Sequence, residues 1–253
     1  MSEKASDLFS VEGMAVLVTG AGRGLGREIS TGLQRAGATV FGTSRDSETA
    51  EEIGSRLGTP PLVLDQTDPE AIAKFVRNLW QAHGPIQGLV NNAGVNRPMP
   101  SVDVSPADWD EILGTNLSGP FFLSQAFYKQ WAQAGVGGRI VNIASQAGVV
   151  AIENRSPYGA SKAGLIHLTK SLAAEWAIDG VRVNAIAPTF IQTEMTKSSL
   201  ANQGFAETLL SRIPIGRFGE PEDLLGGVLY LLSPGSEFMT GQTLLIDGGY
   251  TLR

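Results

Sequence analysis

The sequence predicts a doubly wound α/β fold, a seven-stranded parallel sheet with helices on both faces. Three observations carry that expectation. Apolar, β-branched runs alternate with segments of helical period from one end of the chain to the other. Most of those runs are continuously apolar, as parallel strands covered on both faces are. The first run leads straight into a glycine-rich turn that opens a helix. The 253 residues show no linker, repeat or low-complexity segment, so a single domain over 1–253 is expected.

Taken in order, strands are expected at 15–19, 39–43, 61–64, 88–91, 139–145, 181–187 and 243–247, after an N-terminal extension at 1–10. Asp68-Pro69-Glu70 opens a helix with an N-cap residue, a proline and an early acid. Ile72, Phe75, Val76, Leu79 and Trp80 follow at helical spacing, and Gly84-Pro85 ends it. A second helix begins near Ser105-Pro106, breaks, and resumes after Gly119-Pro120. A third carries Leu165, Leu168, Leu172 and Trp176 and ends at Asp179-Gly180. Residues 189–214 interrupt the rhythm with a polar run, including Gln192 and Thr193. An insertion at this edge of a sheet reads as a substrate lid, or as a surface helix pair.

Hydrophobic residues make up 42% and charged residues 17%, a globular balance that leaves the disordered class aside. A formal net charge of −6 argues against a nucleic-acid or anionic-membrane surface. No apolar run of about 18 residues occurs, so no membrane span is expected. The polar start, with Glu3 and Lys4, does not read as a signal peptide. There is no cysteine, which removes disulfides, thiolate metal sites and cysteine nucleophiles and fits a cytoplasmic location. His83 and His167 lie far apart without a carboxylate at ligand spacing, so no metal is expected.

The glycine turn reads Thr19-Gly20-Ala21-Gly22-Arg23-Gly24-Leu25-Gly26. Glycines are needed where backbone approaches a pyrophosphate and where strand and helix pack tightly, and the helix start offers amide donors. The strict G-x-G-x-x-G string is absent, since Leu25 stands where its last glycine would fall. T-G-x-x-x-G-x-G is present instead. Alone the turn is weak; after the first strand of an α/β chain it marks a Rossmann-type nucleotide site. Past the second strand, Asp46 lies where an acid would hold a ribose 2′-hydroxyl and favour NAD. Ser44 and Arg45 occupy the strand end itself, and a small residue beside a guanidinium suits a 2′-phosphate. Arg23 adds a second cation there or is plain surface charge. On balance NADP(H) is favoured over NAD(H).

Asn116, Ser145, Tyr158 and Lys162 are the candidate catalytic residues. Ser145 ends the fifth strand, at the carboxyl edge where such sheets bind ligands. Tyr158 and Lys162 are spaced i, i+4 at a helix start and share a face. A free tyrosine, with pKa about 10, is a poor base near neutrality. A lysine ammonium one turn away and an oxidised nicotinamide would both favour the phenolate. Ser145 would hydrogen-bond the substrate oxygen, and Asn116 would anchor a water relaying protons through Lys162. The Tyr-x-x-x-Lys spacing arises by chance often enough to be weak alone. In order with the glycine turn, Asn116 and Ser145 it does not.

On these motifs, with Asn91-Asn92-Ala93-Gly94 and Tyr158-Gly159-Ala160-Ser161-Lys162, the chain resembles the short-chain dehydrogenase/reductase family over almost its whole length. The resemblance implies strand order 3-2-1-4-5-6-7 and hydride transfer between a nicotinamide cofactor and a secondary alcohol or ketone. For the cofactor it implies contacts from Gly20, Arg23, Gly24, Leu25 and Gly26. It assigns Asp65 and Gln66 to the adenine, and Asn92, Ala93 and Gly94 to the adenosine ribose side. Tyr158 and Lys162 fall to the nicotinamide ribose, and Pro188, Ile191 and Thr193 to the nicotinamide end. Thr189 stands where the family usually has glycine. Within the family the chain is most similar to sugar-acid and polyol dehydrogenases and to 3-oxoacyl carrier-protein reductases. Polar residues before Tyr158 suit a hydroxylated or acidic small-molecule substrate. Ser145, Gln146, Asn154, Arg155 and Tyr158 are the substrate candidates, with Asn96, Arg97, Ile152, Glu153, Gln192 and Met195 around them. Glu153 and Arg155 read equally well as a surface ion pair. The resemblance also implies a homotetramer built on 106–131, 158–177 and 243–247, with Phe121, Phe122, Phe127, Trp131 and Trp176 serving core or interface. A nucleotide-binding sensor that lost its chemistry is the rival from another class, and the intact set of four residues opposes it.

Overall fold

The computed structural model describes residues 7–192 and 203–252. Its strands are β1 (Ala15–Val18), β2 (Thr39–Ser44), β3 (Leu62–Val63), β4 (Gly88–Asn91), β5 (Gly138–Ile143), β6 (Val181–Pro188) and β7 (Thr243–Ile246). All pair parallel in one sheet, in the order β3-β2-β1-β4-β5-β6-β7. The strand at 61–64 is shorter than expected, because Pro61 has no N–H to give to the ladder. The fifth strand stops before Ser145, whose hydroxyl turns back to accept the Ala147 amide at 3.1 Å.

Period two divides the strand side chains between two cores. Val16 and Val18 of β1, Val40, Val90, Val141 and Ile186 face one side. There they pack on Ile29 and Leu33 of α1 (Gly24–Arg35), Ile53 and Leu57 of α2 (Ser47–Leu57), and a C-terminal helix, Pro221–Leu232. Leu17, Phe41, Leu89, Ile140 and Val183 face the other side. Their partners lie on α3 (Pro69–His83), α5 (Gly119–Ala134) and α6 (Ser156–Trp176). Phe127 and Trp131 are fully buried and Trp176 nearly so, while Phe121 and Phe122 pack partly buried against the same core. These aromatics therefore serve the fold.

Helix ends follow local chemistry. The Asp68 carboxylate accepts the amides of Glu70 and Ala71 at the start of α3. Between α4 (Pro106–Leu113) and α5 the expected break is instead a π turn, Gly114–Ser118. Pro120 lacks the N–H that a regular turn would use there, and the backbone widens rather than stopping. Gly119 permits the close pass, since a Cβ on it would lie 2.7 Å from the Gln66 carbonyl oxygen. Of the expected lid, 193–202 lie outside the described residues. The remainder includes α7 (Gln203–Leu210), and the Pro221–Leu232 helix is α8. Leu209, Ile213 and Phe218 pack with Tyr250 into a small apolar cluster that Val150, Ile152 and Phe190 extend.

Candidate active site

Strand order reverses between β1 and β4, and at their carboxyl ends a cleft of about 820 Å³ opens. One end is the glycine turn. The Thr19 hydroxyl accepts the amides of Asn92 and Ala93 at 3.0 and 2.9 Å, and Asn92 Nδ2 donates to the Thr19 carbonyl at 2.8 Å. Turn and β4 loop are thereby laced together. Gly20 is left-handed, at φ 65°. A Cβ on Gly26 would collide with the Gly20 carbonyl oxygen and Asn92 Nδ2, so the last glycine of T-G-x-x-x-G-x-G is the one the lacing needs. No side chain caps α1. Its first-turn amides are then available to an anion in the cleft that Gly22, Gly24, Leu25 and Gly26 line.

Ser44, Arg45 and Arg23 line the same end. Asp46 also lies there but is committed to capping α2, accepting the Thr49 amide at 3.0 Å and the Ser44 hydroxyl at 3.2 Å. The bonds from Thr49 first, then Ser44, hold its carboxyl below the usual range. Asp65 is likewise held low, by bonds from Thr67 and then by the charge of Arg45. The Gln66 amide donates to the carbonyls of Thr115 (2.7 Å) and Ala93 (3.3 Å), so its side chain braces the cleft wall.

The other end holds the candidate catalytic residues. Asn116 sits in the π turn, fully buried. Its Oδ1 accepts the Val95 amide (2.8 Å), and its Nδ2 donates to the Val95 carbonyl (2.9 Å) and the Ser161 hydroxyl (3.1 Å). Ser161 donates in turn to the Tyr158 carbonyl at 2.7 Å. The Asn116 side chain thus clamps the Tyr158 turn to the β4 loop, and its amide is spent on protein rather than on a water. Lys162 Nζ donates to the Ile143 carbonyl at 2.7 Å and lies 5.7 Å from the Tyr158 ring centroid. A Cβ on Gly94 would sit 3.2 Å from Asn116 Oδ1 and 3.7 Å from Lys162 Nζ, so Gly94 keeps this corner open.

Electrostatics here depart from the expectation of a lowered tyrosine. Burial pushes the Tyr158 phenol up, and the Ser145 hydroxyl and Arg155 guanidinium oppose it. Burial also pulls the Lys162 ammonium down to about 8. Desolvation outweighs neighbouring charge in the protein by itself.

Gln146, Ile152, Arg155, Pro188, Thr189, Phe190 and Ile191 complete the lining. The Ser145 hydroxyl donates to Gln146 Oε1 at 2.8 Å. Other candidates fall elsewhere. Asn154 is exposed, outside the lining, in a left-handed conformation at φ 60°. Arg97 turns away to Asp108 (2.9 Å) and Glu111 (2.7 Å). Glu153 and Gln192 are exposed off the lining, and Glu153 forms no ion pair with Arg155 among the described residues. Thr193 and Met195 lie outside the described residues. The Thr189 hydroxyl is buried without a hydrogen-bond partner.

Sequence reasoning missed three supports: Thr19, Ser161 and Arg56. Arg56 donates to the Ala21 carbonyl at 2.7 Å and so holds the glycine turn from behind. Ser161 lies inside the Tyr158–Lys162 motif, which was its signal; Arg56, 35 residues from Ala21, gave none. No group of residues suited to a metal ion occurs among the described residues, and no described helix is long and apolar enough to cross a membrane. The glycine cradle, the uncapped α1 and the orphan Thr189 hydroxyl together fit a dinucleotide lying from Arg45 to Tyr158.

Residues 20–251 match the family described as enoyl-(acyl carrier protein) reductase. The chain is 38% identical over 251 residues to gluconate 5-dehydrogenase of Gluconobacter oxydans (strain 621H), covering 97% of this chain and 98% of the relative. It is 39% identical over 243 residues to the 3-oxoacyl-[acyl-carrier-protein] reductase of Vibrio harveyi, covering 95% and 98%. The structure of a gluconate 5-dehydrogenase from Burkholderia cenocepacia J2315, in complex with NADP and tartrate, superposes with a TM-score of 0.95. It is 33% identical, with coverage of 99% of this chain and 100% of that one.

Proposed function

The chain belongs to the short-chain dehydrogenase/reductase family and is a nicotinamide-dependent oxidoreductase acting on CH–OH groups; on that premise we propose that it interconverts the secondary alcohol and ketone of a sugar acid or polyol, preferring NADP(H). The observation that carries this reading is the convergence of Ser145, Tyr158, Lys162 and Arg155 at one end of a cleft whose other end is the glycine turn.

The nicotinamide, when bound, supplies or accepts the hydride. Ser145 Oγ hydrogen-bonds the substrate oxygen, and the Tyr158 phenol gives that oxygen a proton in reduction or takes it in oxidation. Lys162, with its pKa near 8, is mostly protonated at neutral pH and favours the phenolate. Asn116 positions the turn that carries Tyr158, through Ser161. Gly20, Gly24 and Gly26 would hold the cofactor's pyrophosphate end and Asn92 its adenosine ribose side, while Pro188 and Ile191 would meet its nicotinamide end.

The NADP preference rests on Asp46 being spent as an N-cap while Arg45 faces the cleft. Replacing Arg45 with Asp is expected to shift the NADP:NAD ratio of kcat/KM toward NAD by 10-fold or more; no shift counts against it. The chain is further proposed to be cytoplasmic and to form a homotetramer through α4–α5, α6 and β7, where Trp109 and Leu245 lie exposed. Light scattering that gives a stable monomer removes the tetramer.

A 3-oxoacyl-thioester reductase is the second reading, favoured by the similarity to the Vibrio harveyi protein. A panel of keto-sugar acids, ketoses, diketones and 3-oxoacyl thioesters with NADH and NADPH decides between them. Turnover confined to thioesters overturns the first reading; tight NADPH binding without any turnover revives the sensor.

A further inference from the structure

Among the described residues, the arginines that are not exposed are Arg56, Arg139, Arg155 and Arg182. Arg56 donates to the Ala21 carbonyl and the Thr31 hydroxyl, both at 2.7 Å. Arg139 and Arg182 share Glu237, at 2.7 and 2.8 Å. The Arg155 guanidinium alone among them makes no hydrogen bond or ion pair to any described residue, its backbone carbonyl accepting only the Gly159 amide at 2.7 Å. A half-buried guanidinium without a partner is costly, because its five donors leave water for nothing.

Arg155 lines the cleft beside Ser145, Ile152 and Tyr158. It is the residue just before α6, three positions ahead of Tyr158, and both line the cleft. Asn154, left-handed and tied by its carbonyl to the Met99 amide at 3.0 Å, fixes the turn that presents it. The acids of this rim lie elsewhere. Asp108 and Glu111 hold Arg97, and Glu153 is exposed outside the cleft lining, with no ion pair to Arg155 among the described residues. Phe190 and Ile152, in the apolar cluster over this end, keep the surroundings poor in water and strengthen a charge pairing there.

We propose that Arg155 pairs with the carboxylate of a polyhydroxy acid, so that the enzyme selects the acid over the matching neutral polyol. The planar guanidinium fork suits a carboxylate two oxygens at a time. The proposal rests on the sugar-acid or polyol reading above and narrows it.

The test uses D-gluconate and D-glucitol, matched in carbon number. Each is titrated calorimetrically into the enzyme–NADPH complex, where no turnover is possible, and then oxidised with NADP. Wild type is expected to bind gluconate roughly 10- to 100-fold more tightly than glucitol. Arg155→Met is expected to bring the ratio close to one, and Arg155→Lys to restore part of it, since an ammonium lacks the fork. NADPH fluorescence titration of each variant reports its folding. Equal affinity of the wild type for the two compounds overturns the proposal, as does an Arg155→Met that keeps the preference. Gluconate that binds through Arg155 but is never oxidised supports the carboxylate site and overturns the sugar-acid turnover instead.

Discussion

At the glycine turn the cleft is walled by backbone, whereas at the reacting end it is walled by side chains. Around Gly20 and Gly26 the geometry is set by carbonyls, amides and the Thr19–Asn92 lacing, and what matters is the absence of a Cβ. Around Tyr158 the geometry depends on where Arg155, Lys162 and Ser145 point and on how much water burial removes. In the first region a Cβ at Gly26 would collide with its neighbours, and the lowered carboxyls of Asp46 and Asp65 are set by local hydrogen bonds rather than by burial. The second is packed with polar groups whose ionisation is displaced or whose partners are missing. Binding the common part of a cofactor needs rigidity, while proton transfer needs groups held away from their solution preferences.

Substitutions can break either half of that contrast. The largest effect is expected at Lys162. Lys162→Met should lower kcat by roughly 10²- to 10⁴-fold. It should also raise the midpoint of thermal unfolding at pH 7 by about 2–4 °C, because a buried ammonium opposes folding. The folded pKa near 8 lies below the ordinary 10.5, so between those values the unfolded chain binds more protons and wild-type stability climbs with pH. The gap between variant and wild type should therefore narrow from pH 8 to 10.5 in differential scanning calorimetry. A gap that widens would show Lys162 to be favourably paired.

Next comes the backbone half. Gly26→Val would push against the Gly20 carbonyl and Asn92 Nδ2. It is expected to weaken NADPH binding by about 100-fold and to destabilise the fold by about 1–3 kcal/mol. Fluorescence titration with NADPH checks the first and denaturant unfolding the second; normal binding would mean the lacing is not what shapes the cradle.

The smallest effect is expected at Thr189, whose hydroxyl is buried without a partner. Thr189→Val keeps the shape and removes the orphan, so the cofactor-free protein should gain up to about 1 kcal/mol. A loss of stability would reveal an unrecognised partner.

Much of the backbone-walled region was legible in the sequence. Its glycines are demanded by local geometry, and their order survives without knowledge of what packs nearby. The parallel sheet and its two cores were legible because period and continuity of apolar residues are also local. The Tyr158–Lys162 pair was legible for the same reason, being one helical turn apart. What was not legible depends on direction and on distance along the chain. Arg97 and Asn154 have suitable chemistry but turn away, to α4 and to solvent. Arg56 reaches the glycine turn from 35 residues away. The upward push on Tyr158 comes from burial, which no short motif encodes. The π turn at Asn116 follows from Pro120 together with the approach of Gln66, only the first of which is visible in a string of residues.

The central claim is that Tyr158 carries the proton at a hydride-transfer site. Single-turnover reduction of a 5-keto-aldonate by NADPH, followed at the nicotinamide absorbance for wild type and Tyr158→Phe, tests it most directly. The variant is expected to reduce the ketone at least 100-fold more slowly while NADPH affinity changes by less than about 3-fold, since only the phenolic oxygen is removed. A variant that reduces the ketone at close to the wild-type rate would contradict it.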